Sequence, residues 1–135
     1  MGVALAKSAI DLGIVIGDSD RSLAFYRDLL GLEHVADLQM PIGGGATMHR
    51  LSCGDTVIKL VKLDTNPETT SGGGIPAAIG IRYFTMVVTN LEEMMTACEA
   101  ADVPIAVPIT EARPGVTIGI VVDPDGNWVE FVQQS

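Results

Sequence analysis

The chain has 135 residues, 47% of them apolar and 19% charged, with a net charge of −9. That balance describes one well-buried globular domain, not a disordered chain. The acidic excess argues against nucleic acid or an anionic membrane surface as partner, because both need cationic patches. The two cysteines, Cys53 and Cys98, are too few and too far apart for a disulfide framework or a cysteine zinc site. The first residues, MGVALAKSAI, lack a charged start followed by a long apolar run, and no apolar run reaches membrane-spanning length. A cytoplasmic location with reduced thiols is the expectation.

Ile10–Ile16 alternates as a strand, with Leu12, Ile14 and Ile16 on one face and Asp11, Gly13 and Val15 on the other. Asp18, Ser19 and Asp20 are N-cap candidates for a helix running to about Leu30, with Leu23, Tyr26, Leu29 and Leu30 as its apolar stripe. Gly31 stands where a left-handed C-terminal cap belongs. Leu32–Leu38 reads as a strand holding an exposed His34, and Pro41–Gly45 as a mobile loop. Ala46–Ser52 and Thr56–Lys62 form a hairpin around Cys53-Gly54-Asp55. In its second strand Ile58 and Leu60 share one face, and Val57, Lys59 and Val61 the other. His49 and Arg50 are adjacent on the first, so only one of them faces the Lys59 side; the register leaves open which.

The segment 63–80, rich in Gly, Thr and Pro, breaks the pattern and is long for a connection, as a linker or a functional lid would be. The first half then repeats. Arg82–Val88 is a strand with Tyr83, Thr85 and Val87 on one face. Asn90 with Glu93 suggests a capping box, and Leu91, Met94, Met95 and Cys98 form a helical stripe. Val103–Ile109 carries Pro104 and Pro108 and reads as an edge strand. Val116–Val122 leads through the turn chemistry of Asp123-Pro124-Asp125-Gly126-Asn127 into a last strand. There Val129 and Phe131 face the core, and Trp128, Glu130 and Val132 face away. Asp11 aligns with Tyr83, Ile16 with Val88 and Asp18 with Asn90 at a constant offset, so each half is strand, helix and three strands.

The expected fold class is therefore α+β: two βαβββ modules, about 8–63 and 80–133, joined by a linker at 64–79. Their mixed sheets would curl into a cup with helices on the outside. By strand parity Asp11, Lys59, Tyr83 and Glu130 would all face that cup. One reading makes them a salt-bridged cluster sealing a dead site. The other makes Glu130 a general base, Tyr83 an acid or hydrogen-bond donor, and Lys59, beside Asp11, the cation that stabilises an enolate-like oxyanion. Arg50 suits a substrate carboxylate or phosphate, His49 suits proton transfer, and Trp128 offers a stacking surface.

The βαβββ repeat, the run DRSLAFYRDLLGL at 20–32 and the closing DPDGNWVEF resemble the vicinal oxygen chelate superfamily over about residues 8 to 133. That superfamily includes glyoxalase I, bleomycin-resistance proteins, methylmalonyl-CoA epimerase and extradiol dioxygenases. The resemblance implies a divalent metal at the cup floor, ligated commonly by His or Gln on the first strand of each half and Glu on the last. Carried over by position, those places are Asp11, Lys59, Tyr83 and Glu130, and only Glu130 keeps the usual identity. No cofactor is assigned on this basis; a metal on Asp11 and Glu130 is the fallback. The resemblance implies two functions: a lyase or isomerase that abstracts a proton next to a carbonyl, or a non-catalytic drug-binding protein of the bleomycin-resistance type. It also implies a homodimer, with the cup formed within one chain or across two. An extradiol dioxygenase fits least, since its iron takes two His and a Glu and neither His34 nor His49 falls at a ligand position.

Overall fold

The computed structural model describes residues 2–69 and 72–135. The chain divides into two compact units, Met1–Glu68 and Thr69–Ser135. Each holds one four-stranded mixed sheet.

The first module contains β1 (Leu12–Val15), α1 (Ser19–Leu23, continuing as a π-helix over Ala24–Leu29), β2 (Glu33–Met40), β3 (Ala46–Cys53) and β4 (Thr56–Leu63). The strand order is β1-β4-β3-β2, with β1 parallel to β4 and the other pairs antiparallel. Asp18 caps α1, its side chain accepting from the Arg21 backbone N–H at 2.9 Å. The π turn is closed by the Leu30 N–H on the Phe25 carbonyl. Gly31, at φ +77°, ends the helix, and the Leu32 N–H returns to the Tyr26 carbonyl, a left-handed C-cap. Ile14, Ile16, Leu51, Ile58 and Leu60 are buried on one sheet face, as are Leu23, Phe25 and Tyr26 of the helix. Gly13 and Val15 are exposed on the other face, the parity that the alternation predicts.

The second module contains β5 (Tyr83–Val87), α2 (Leu91–Ala100), β6 (Ile105–Arg113), β7 (Val116–Val122) and β8 (Trp128–Gln134), ordered β5-β8-β7-β6. Here β5 runs parallel to β8, and β8–β7 and β7–β6 are antiparallel. The edge strand β6 runs four residues beyond its expected end, with register shifts that accommodate Pro108. Helix α2 packs on β6, β7 and β8 through Leu91, Met95 and Cys98, against a sheet face that buries Val121, Val129 and Phe131.

The capping box expected from Asn90 and Glu93 is not formed. Asn90 makes no side-chain cap; its amide lies 3.3 Å from the Glu93 carboxylate. The Leu91 N–H is satisfied instead by the Gln133 side chain at 2.9 Å, so a strand residue far along the chain caps the helix.

The turn before β8 is built on one buried carboxylate. Asp123 accepts from the backbone N–H groups of Asp125 (3.0 Å) and Asn127 (2.8 Å) and from the Asn127 amide (2.9 Å). Gly126 takes the positive φ, +91°. This turn sets the entry of β8 and hence which of its residues face α2 and which face away.

Gly72–Gly74, within the segment read as a linker or lid, is held against the second module. The Arg82 side chain donates to the Gly74 carbonyl at 2.7 Å and the Gly72 carbonyl at 3.1 Å. Gly74 sits on the Trp128 indole so closely that a Cβ there would lie 2.0 Å from Cε2, and its φ is +61°. Gly74→Ala is therefore expected to lift the segment off the ring and to cost about 1 kcal/mol or more. Trp128 is the chain's one tryptophan, so its fluorescence reads the change directly. A red-shifted emission is expected, and an unchanged spectrum would show that the contact is not kept in solution.

Candidate functional site

In the second module, Tyr83, Thr85 and Val87 of β5 pair with Trp128, Glu130 and Val132 of β8. Strand parity turns all six away from α2. The Thr85 hydroxyl donates to Glu130 Oε1 at 2.6 Å. This bond fixes one carboxylate oxygen and leaves Oε2 without a partner among the described residues. Tyr83 stands two residues from Thr85 on the same strand and is 46% exposed. A cleft of about 650 Å³ lies along β5, lined by Ile75, Ile79, Ile81, Arg82, Tyr83 and Thr85. The cleft is shallow and open to solvent, and neither Glu130 nor Trp128 lines it. One face of the Trp128 ring is covered by Gly74 and is closed to a ligand.

In the first module, Asp11 lies just before β1 and Lys59 on β4, on the face turned away from α1. Asp11 Oδ1 accepts from the Lys7 ammonium at 2.5 Å and from the Val57 backbone N–H at 2.9 Å. The Lys59 Nζ is 3.9 Å from Oδ2. The Lys7 and Val57 hydrogen bonds hold the Asp11 carboxyl below its ordinary range, and the Lys7 and Lys59 charges add to this. Asp11 therefore favours the folded state wherever it is ionised. The stability difference between the wild type and Asp11→Asn is expected to be full above about pH 4 and to vanish as pH falls through the lowered value. Melting temperatures of both proteins from pH 7 to pH 2 test this; a difference that persists at the acid end would contradict it.

The β3–β4 register settles the choice between His49 and Arg50. Arg50 is the direct cross-strand partner of Lys59, so it shares the Lys59 face, and His49 faces α1. Two cations directly opposite each other repel, and they stand together in a chain of net charge −9.

The side of this sheet facing α1 carries a cluster that strand reading did not assemble. His34 Nε2 and His49 Nδ1 approach the same Asp37 oxygen, at 2.6 and 2.7 Å, and His49 Nε2 lies 2.9 Å from the Ser19 Oγ. The two imidazoles meet edge to face, with centroids 5.7 Å apart. Hydrogen bonds from His49 and then His34 hold the Asp37 carboxyl below its usual range. His34 and Asp37 are three apart, which in a regular strand would put them on opposite faces. The register shift between His34 and Ala36 restores a common face. That bulge, formed against β3, is not visible in the spacing of the sequence.

Neither cysteine is poised as a nucleophile: burial pushes both the Cys53 and the Cys98 thiols up. Among the described residues, no helix is long and apolar enough to cross a membrane.

Two mixed four-stranded sheets, each with its helix, define a fold of the two-fold βαβββ class. The chain belongs to the Glyoxalase/Bleomycin resistance protein/Dioxygenase superfamily, whose model matches residues 9–131. It is similar to a glyoxalase family protein from Bacillus cereus (TM-score 0.81, 13% identity, 98% of this chain and 96% of that one). It is also similar to lactoylglutathione lyase from Agrobacterium tumefaciens (TM-score 0.64, 26% identity, 93% and 92%). A third similar structure is the trypanothione-dependent glyoxalase I of Leishmania major (TM-score 0.66, 26% identity, 91% and 84%). No curated protein matches the chain.

The superfamily's usual divalent metal can be tested against the residues at its customary positions in the first module. They do not fit. Lys59 places an ammonium where a lone pair is needed, and Asp11 Oδ1 is already engaged by Lys7 and Val57.

Proposed function

We propose that the protein is a small-molecule enzyme of lyase or isomerase type that removes a proton next to a carbonyl, with Glu130 as the base. The observation that carries this is the Glu130 carboxylate on the face of β8 turned away from α2, with Oε1 held by Thr85 and Oε2 without a partner among the described residues. In the step, Oε2 takes the proton from the carbon beside the carbonyl. The C–H electron pair moves to form the enolate, and Tyr83 donates a hydrogen bond to its oxygen. Return of the proton to the same or the neighbouring carbon gives an isomerase. Expulsion of a leaving group gives a lyase. The kinship with a lactoylglutathione lyase and a glyoxalase I, both at 26% identity, supports this chemical class.

On the first module, Lys59 and Arg50 form a paired cationic patch suited to a carboxylate or phosphate. Asp11 Oδ2 lies 3.9 Å from the Lys59 ammonium, and Oδ1 accepts from the Val57 N–H. The reading includes a homodimer in the cytoplasm; the exposed Ile79, Ile81 and Val87 support a second copy as partner, and light scattering tests it.

The experiment is incubation in D2O with the hemithioacetal of methylglyoxal and glutathione, and with a panel of 2-substituted carbonyl compounds. NMR then follows deuterium entering the carbon next to the carbonyl. Exchange or conversion supports the enzyme. Saturable binding with no exchange in any compound overturns it in favour of the drug-binding alternative.

A further inference from the structure

We infer that His34, Asp37 and His49 form a site for a divalent cation of the zinc class, on the face of the first module's sheet that meets α1. The site is separate from the positions where the superfamily holds its metal. Three observations converge on it.

The first is the donor set. Two imidazole nitrogens and a carboxylate oxygen lie within 4.8 Å of one another. Nitrogen and oxygen ligands at about 2.0–2.2 Å suit Zn²⁺, and in a tetrahedral site they would stand roughly 3.3 Å apart. The present contacts of 2.6 and 2.7 Å need to open by less than an ångström, and the widest separation in the set, up to 4.8 Å, needs to close by about 1.5 Å to reach that spacing. Asp37, its side chain 51% exposed, has room to turn.

The second is the support around the ligands. Metal-bound histidines usually donate their other ring N–H to a fixed acceptor. Ser19 Oγ stands 2.9 Å from His49 Nε2. With both rings neutral and Asp37 ionised, the protons sit on His34 Nε2 and His49 Nδ1, facing the carboxylate. On binding, the His49 proton moves to Nε2, and the Ser19 hydroxyl rotates from donor to acceptor. The His34 proton moves to Nδ1. That ends the 3.4 Å hydrogen bond from Arg27 Nη1 to Nδ1, while Arg27 stays held to Asp28 through Nε at 2.8 Å and Nη2 at 3.3 Å. No net proton leaves the site.

The third is the bulge in β2, which brings His34 and Asp37 to one face and without which the set would be split across the sheet. The outer side of the cluster remains open enough for a water to complete the coordination, since His34 is 20% exposed in its side chain.

The site tethers β2, β3 and the start of α1 to one ion. It is independent of the proposed reaction at Glu130, and its test reads binding rather than turnover. The full-length protein is titrated with Zn²⁺ by calorimetry and with Co²⁺ by visible absorption. One equivalent per chain is expected, with a four-coordinate cobalt spectrum. His34→Gln, at a partly exposed position, should lose the spectrum and the tight binding while the fold, read by circular dichroism, persists. Ser19→Ala should weaken affinity by about 10-fold or more. Asp11→Asn and Glu130→Gln should bind as the wild type does. Absence of stoichiometric binding, wild-type binding by His34→Gln, or loss of binding in Glu130→Gln would each overturn the site.

Discussion

Glu130→Gln is expected to lower turnover by about 10²- to 10⁴-fold, the usual contribution of a positioned general base. The amide keeps the shape of the carboxylate, and its carbonyl still accepts from the Thr85 hydroxyl that now reaches Oε1 at 2.6 Å. Glu130 lies on the face of β8 away from the buried Val129 and Phe131, so the core is untouched and the melting temperature should change little. The loss should fall on kcat more than on KM, because the proton is taken only in the transition state. Thr85→Val removes the restraint but not the base, and a smaller loss is expected. A Glu130→Gln enzyme with full activity, measured in the deuterium-exchange assay, would remove Glu130 from the chemistry.

The largest effect on stability is expected at Asp123. Asp123→Ala removes the acceptor of two backbone N–H groups and of the Asn127 amide at a position only 4% exposed. A buried donor left unsatisfied costs about 1–3 kcal/mol. With some relief by water, a total of about 3 kcal/mol is expected from urea unfolding. Asp123→Asn keeps one acceptor and should lose less. The damage should extend to the site, since this turn sets the start of β8 and the facing of Glu130. A stability loss below about 0.5 kcal/mol for the alanine variant would show that the turn is held by Pro124 and Gly126 without the carboxylate.

The alternation of apolar residues already determined the two βαβββ modules, the core face of β1, β4, β5 and β8 and the outward parity of Asp11, Lys59, Tyr83, Thr85 and Glu130. These are local consequences of period and turn chemistry, and β1, α1, β4, β5 and β8 follow them. Asp18 and Gly31 bound the first helix because capping depends on neighbours a few residues away. Pairing between strands decided the rest. The β3–β4 register set Arg50 beside Lys59 and turned His49 to α1. The bulge in β2 joined His34, Asp37 and His49, residues that odd spacing would separate. Gln133 rather than Asn90 caps α2, and Gly74 packs on Trp128 under the hold of Arg82. Each of these depends on which residues of distant segments come to lie opposite one another. Registers, bulges and long-range caps are set by the closing of the whole sheet, a tertiary event that no local period encodes.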